Sequence, residues 1–199
     1  IMASRMLSSA NQFQITDPTF NNDLQSFVQQ CVFYDLFLKR YSFNELLNSD
    51  NIWQVVTTNA SKARAFSYDG EIVSCADGVH SLSSAWIDAI GQAQTRYGSR
   101  LFPDERDAKV QLIKYLPASY KLLTNVSTGA SELMKQHLMA NAILQGVPHM
   151  AAMTNAPAAI GNYMSTKSQV QQRTTFQSVG EQASVFLPLL KNALEMIMY

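Results

Sequence analysis

A chain of 199 residues, 47% of them hydrophobic and 10% aromatic, can build a core of its own, which excludes disorder as its main state. Its 15 Lys and Arg balance 15 Asp and Glu, so it lacks the basic surplus that phosphate neutralisation requires, and nucleic acid is set aside as a partner. Charged residues are only 15% of the chain, leaving Ser, Asn and Gln to supply much of the polar surface.

Residues 1–16 are polar and without period, and read as a flexible N-terminal segment. The opening Ile1-Met2 reads as a piece excised from a longer protein, and no charged stretch followed by an apolar one suggests a signal peptide. Asp17-Pro18 is a helix start, an acceptor at the N-cap followed by proline at the first helical position. Phe20, Leu24, Phe27, Val28, Cys31 and Leu38 then recur on one face, predicting a helix over about 18–40. The aromatic residues Phe33, Tyr34 and Phe37 of this helix read as core. Ser42 caps a short turn over 43–47, and 48–51 is loop by composition. Residues 52–57 fit a helical turn or a strand.

Residues 63–76 carry the strong β signal. Asp69-Gly70 supplies the two positive φ angles of a type I′ turn, with Phe66 and Tyr68 on one side and Ile72, Val73 and Cys75 on the other. Two strands alone are marginal, so the hairpin must lie on helices. Asp77-Gly78 closes it and caps a second long helix, striped by Val79, Leu82, Trp86, Ile90, Ala93 and Tyr97 and ended by Gly98. Pro103 opens a third helix over about 103–115, with Asp104 and Glu105 suited to its dipole; Leu116-Pro117 breaks it, and 119–125 forms another short helix. Ser127 or Thr128 caps a helix over about 129–145, which Gly146 and Pro148 stop.

After a loop near Thr154-Asn155, residues 157–199 read as a C-terminal helical arm. Its stripe includes Val179, Ala183, Phe186, Leu190, Ala193 and Ile197, with Pro188 as a kink. The fold class is mostly α, with one small hairpin and a long C-terminal helix. The partition is 1–16, a compact domain over 17–156, and the arm over 157–199.

Catalytic chemistry is sparse. His80, His137 and His149 form no pair at ligand spacing, and there is no phosphate-binding glycine loop. Carboxylates cluster at Asp104, Glu105 and Asp107, where a dipole role suffices. No catalytic residue, metal ligand or cofactor is assigned. Cys31 and Cys75 stand 44 positions apart and admit three readings: buried thiols, one disulfide, or a nucleophile with a His partner.

The stretch 17–31, from Asp17-Pro18-Thr19-Phe20 to Gln29-Gln30-Cys31, is familiar, as are 58–66, Cys75-Ala76-Asp77-Gly78 and Tyr97-Gly98-Ser99-Arg100-Leu101-Phe102-Pro103. Together with the Met-rich helix near Met134 and the Gln171-Gln172 run, they resemble the N-terminal region of the TraG family, mating-pair stabilisation proteins of F-type conjugation systems. The resemblance covers nearly the whole chain and carries no catalytic signature. It implies a large bacterial inner-membrane protein, of which this piece is a periplasmic loop domain acting in pilus assembly beside a type IV secretion apparatus. It implies a disulfide between Cys31 and Cys75, since the periplasm is oxidising. It implies a non-enzymatic scaffold whose partners are other conjugation proteins, with the membrane reached through flanking segments. The apolar arm is expected to lead toward such a segment, or to self-associate through Phe186, Leu190, Ala193 and Ile197. The alternative from another class is a periplasmic peptidoglycan-modifying hydrolase.

Overall fold

The computed structural model describes residues 6, 9, 12–42, 45–46, 49–58, 60–124 and 127–153. The C-terminal arm, with Phe186, Leu190, Ala193 and Ile197, lies outside the described residues.

Helix α1 (Pro18–Phe27) begins where the sequence places it. Asp17 Oδ1 accepts from the N–H groups of Thr19 and Phe20 at 2.9 and 3.3 Å. A π-helical turn, Val28–Val32, leads into α2 (Phe33–Phe37). The wider turn takes up an extra residue and shifts the phase of everything after it by about 100°. Leu38, placed on the buried stripe by simple periodicity, is therefore 61% exposed. Tyr34 and Phe37 are exposed as well, so of the three aromatics read as core only Phe33 is.

Ser42 and Glu45 form the predicted cap reciprocally. The Glu45 N–H donates to Ser42 Oγ, and the Ser42 N–H to the Glu45 carboxylate. Residues 52–57 resolve to helix, α3 (Ile52–Thr58), its N-terminal amide satisfied by Gln136 Oε1 at 2.8 Å.

Strands β1 (Ala65–Tyr68) and β2 (Glu71–Ser74) pair antiparallel, with Phe66 opposite Val73 and Tyr68 opposite Glu71. Asp69 (φ 49°) and Gly70 (φ 80°) make the expected turn. The hairpin lies along α1: the Ser67 N–H donates to Ser26 Oγ and the Asp69 N–H to Asp23 Oδ1, both at 3.1 Å.

The next helix starts earlier than expected. α4 (Cys75–Leu101) is capped by Ser74, whose Oγ accepts from the Asp77 N–H at 3.1 Å. Cys75 is its first residue rather than the end of a strand, and Asp77-Gly78 lies inside the helix. Nor does Gly98 end it. The chain turns at 102–107 and re-enters helix as α5 (Ala108–Thr124), so Pro103 precedes the helix rather than opening it. Pro117 sits within α5, which runs on without the predicted break; buried Leu112, Leu116 and Ser119 carry one face past the proline. α6 (Ala130–Met153) likewise continues through Gly146 and Pro148, because Ile143, Gly146 and Val147 all face the core.

Rings pass through that core edge to face or tilted: Phe20 to Trp86 (5.0 Å between centroids), Trp86 to Trp53 (5.7 Å), Trp53 to Phe27 (5.9 Å) and Phe27 to Phe66 (5.3 Å). They join α1, α3, β1 and α4. Part of 1–16 enters the core as well. Phe13 is fully buried, its carbonyl accepts from Asn141 Nδ2 at 2.7 Å, and Tyr97 Oη bridges the Gln12 carbonyl and the Gln14 N–H.

Candidate interaction site

Cys31 in the π turn and Cys75 at the start of α4 are joined in a disulfide, with Cα atoms 6.0 Å apart and both residues buried. The bond fixes the exit of the hairpin against the middle of the long N-terminal helical run. The Cys75 N–H donates to the Arg64 carbonyl at 2.8 Å, and the Ala76 N–H to the Ser61 carbonyl at 3.1 Å. The segment 60–64 is thus held in place beside α2.

One turn beyond Cys31 stands Asp35, a carboxylate with a side chain only 3% exposed. Arg64 pairs with its Oδ1, and Arg40 Nη1 reaches the same oxygen at 3.4 Å. Burying a charge this deeply is tolerable only with such partners. The Arg64 guanidinium also lies over the Tyr34 ring, 5.5 Å from its centroid. Tyr41 closes the inner side. Its hydroxyl donates to the Val32 carbonyl at 3.3 Å, and burial, followed by the nearby Asp35 charge, pushes its pKa well up.

The backbone here takes a left-handed helix end. The Lys39 N–H donates to Leu36 O and the Arg40 N–H to Asp35 O, both at 3.0 Å, with Lys39 at φ 54°. This is a Schellman ending with lysine where glycine is favoured. It turns Tyr34, Phe37, Leu38, Lys39 and Arg40 outward together. Next to them an open concavity of about 760 Å³ is lined by Arg40, Thr58 and residues 60–63.

Two titratable groups elsewhere, His137 and Lys135, are engaged in packing. His137 lies between the rings of Phe13 and Tyr120, at 6.2 and 5.8 Å, and burial lowers its pKa to about 4. Lys135 spans Trp53 and Trp86, at 5.3 and 5.9 Å, and burial lowers its pKa. His80 and His149 are exposed, as are Asp104, Glu105 and Asp107 in the turn before α5. Among the described residues no three His, Cys, Asp or Glu come together in a way that would hold a metal. The structure therefore brings the two cysteines together, leaves the histidines apart, and adds a cluster that periodicity passed over. Its sequence signal was Asp35, a carboxylate amid Val32, Phe33 and Leu36, with Lys39-Arg40 one turn further on.

The family model for the TraG-like protein, N-terminal region, matches residues 1–199. The chain belongs to that family. It is 23% identical over 199 residues to Protein TraG of Escherichia coli (strain K12), an alignment covering 98% of this chain and 21% of that protein. The chain thus spans about a fifth of the length of the curated relative it matches. No solved structure matches. The TraG resemblance carried by 17–31, 58–66 and 97–103 is the chain's family, and the domain is a TraG-like N-terminal region. Among its described residues no helix is long and apolar enough to cross a membrane.

Proposed function

We propose that this TraG N-terminal domain is a non-enzymatic docking domain on the periplasmic side of the bacterial inner membrane, serving pilus assembly and mating-pair stabilisation. The observation that carries the reading is the buried Cys31–Cys75 disulfide in a domain of this family, since such bonds form and persist in oxidising compartments. The docking role is supported by how the polar groups are used. Asp35 is occupied by two arginines and His137 is enclosed by rings, while Ile87, Val110 and Leu122 stand 60–78% exposed on α4 and α5. Its partners are other conjugation proteins, and the arm adds self-association through Phe186, Leu190, Ala193 and Ile197.

The test is photo-crosslinking in donor cells, with a photoreactive amino acid in the full-length protein at Ile87, Val110 or Leu122. Adducts to another conjugation protein, together with blocked thiols at Cys31 and Cys75 before reduction, are expected. Free thiols in cells would sink the location, and unchanged pilus number and mating on deleting the domain would sink the role.

A further inference from the structure

The end of α2 joins two kinds of surface that are normally kept apart. Tyr34, Phe37 and Leu38 are 37, 48 and 61% exposed, and the Tyr34 and Phe37 rings meet edge to face at 6.1 Å. The cations stand directly against them. Arg64 stacks on Tyr34, Lys39 and Arg40 follow Leu38, and Lys62 lines the neighbouring concavity with Arg40, Thr58 and Ser61. Residues 34–45 and 58–64 hold four cations, Lys39, Arg40, Lys62 and Arg64, against two carboxylates, Asp35 and Glu45. Asp35 is buried beneath its arginines, whereas Glu45 is exposed and its bonds to Ser42 keep it ionised, so the cations still exceed the carboxylates. The face turned to solvent is therefore positive in a chain that is neutral as a whole.

We propose that this face docks on an anionic phospholipid surface, with Tyr34, Phe37 and Leu38 entering the headgroup region and Lys39, Arg40 and Lys62 meeting the phosphates. Aromatic and aliphatic side chains ringed by Lys and Arg are the composition of interfacial anchors, whose long cationic stems lie along the boundary. The open concavity with two cations and two hydroxyls has the chemistry for a phosphate headgroup. The backbone fits the assignment: Lys39 keeps a left-handed conformation that glycine would adopt at lower cost, and the result is a cation projected at the tip. The inference stands on this patch alone and does not depend on the conjugation partners.

The experiment is flotation of the chain with vesicles of phosphatidylcholine alone and of equal parts phosphatidylcholine and phosphatidylglycerol. Binding to the anionic vesicles, weakened by salt, and little binding to neutral ones are expected. The pair Lys39→Gly/Lys62→Ala lowers binding about twenty-fold or more, since each such cation near an anionic surface contributes roughly five-fold. Lys39→Gly also relieves the left-handed lysine, so the loss comes without a fall in melting temperature. The pair Phe37→Ser/Leu38→Ser weakens binding while leaving its salt dependence. Equal binding to both vesicles, binding that survives either pair, or no binding to either vesicle overturns the proposal, the last leaving the patch to an acidic protein.

Discussion

Gly98 of α4 rests on the backbone of Ala108 at the start of α5: a Cβ on Gly98 would stand 2.9 Å from the Ala108 carbonyl oxygen. Backbone cannot rotate away as a side chain can, so even one methyl group forces the two helices apart. Gly91, two turns earlier on the same helix, meets only the end of Lys109 at 4.0 Å. Alanine at a helical glycine gains up to about 1 kcal/mol in propensity. Gly91→Ala should therefore raise stability by up to about 1 kcal/mol. Gly98→Ala should lower it by about 1–3 kcal/mol, overpacking outweighing propensity. Urea unfolding of the two variants side by side checks the opposite signs.

That contact also explains what the sequence could and could not convey. Helix starts were legible where a side chain makes the cap, as at Asp17 and at Ser42, because the capping bond is local. The hairpin was legible because Asp69-Gly70 states its own φ angles. Helix ends were misread at Gly98, Pro117 and Gly146 for one shared reason. A glycine or proline marks a stop only when nothing outside the helix holds the next turn. Gly146 has the buried Phe33 ring where its Cβ would be, at 2.9 Å, so there glycine permits close packing. The Asp35–Arg64 pair, the centre of the candidate site, spans 29 residues and depends on the phase shift of the π turn. Neither is visible in a periodic pattern. The disulfide followed from the family resemblance, whereas spacing alone left three readings open.

Asp35 should be the costliest charge to remove. Its carboxylate compensates Arg64, whose side chain is only 21% exposed. Asp35→Ala leaves that guanidinium buried without its counter-charge, for a loss of about 3–5 kcal/mol. Replacing both partners together, Asp35→Leu with Arg64→Met, should recover most of it, because the desolvation cost leaves with the charges. A denaturant series on the single and double variants reads the non-additivity. Equal losses would mean that the pair does not act as a unit.

The disulfide closes a loop between residues 44 positions apart. In the chain-entropy model such a loop contributes about 4 kcal/mol by restricting the unfolded chain. Cys31→Ser/Cys75→Ser should lower stability by up to that amount, and hydrogen exchange should quicken first at the Cys75 amide and along β2. Both cysteines are at most 2% exposed, so dithiothreitol should reduce the native protein slowly and the urea-unfolded protein readily. Equal reduction rates in the two states would contradict the burial.

His137 should set part of the pH dependence of folding. The imidazole sits between Phe13 and Tyr120, and its Nε2 is buried without a hydrogen-bond partner among the described residues. Burial disfavours the charged form, taking the pKa from 6.5 to about 4. The folded pKa lies below the unfolded one, so between those values the unfolded chain binds more protons. Stability is then whole above pH 6.5, declines as pH falls through the window, and levels off below pH 4. A shift of this size corresponds to about 3 kcal/mol lost by pH 4. His137→Leu should remove that slope while keeping the ring contacts largely filled. Carboxylates also titrate near the bottom of the window, so the comparison that decides is the difference between the two proteins from pH 6.5 down to about 5, where most carboxylates are still ionised. Parallel stability curves over that interval would mean that His137 is protonated in the folded protein, and that the pocket between Phe13 and Tyr120 is wetter than its burial indicates.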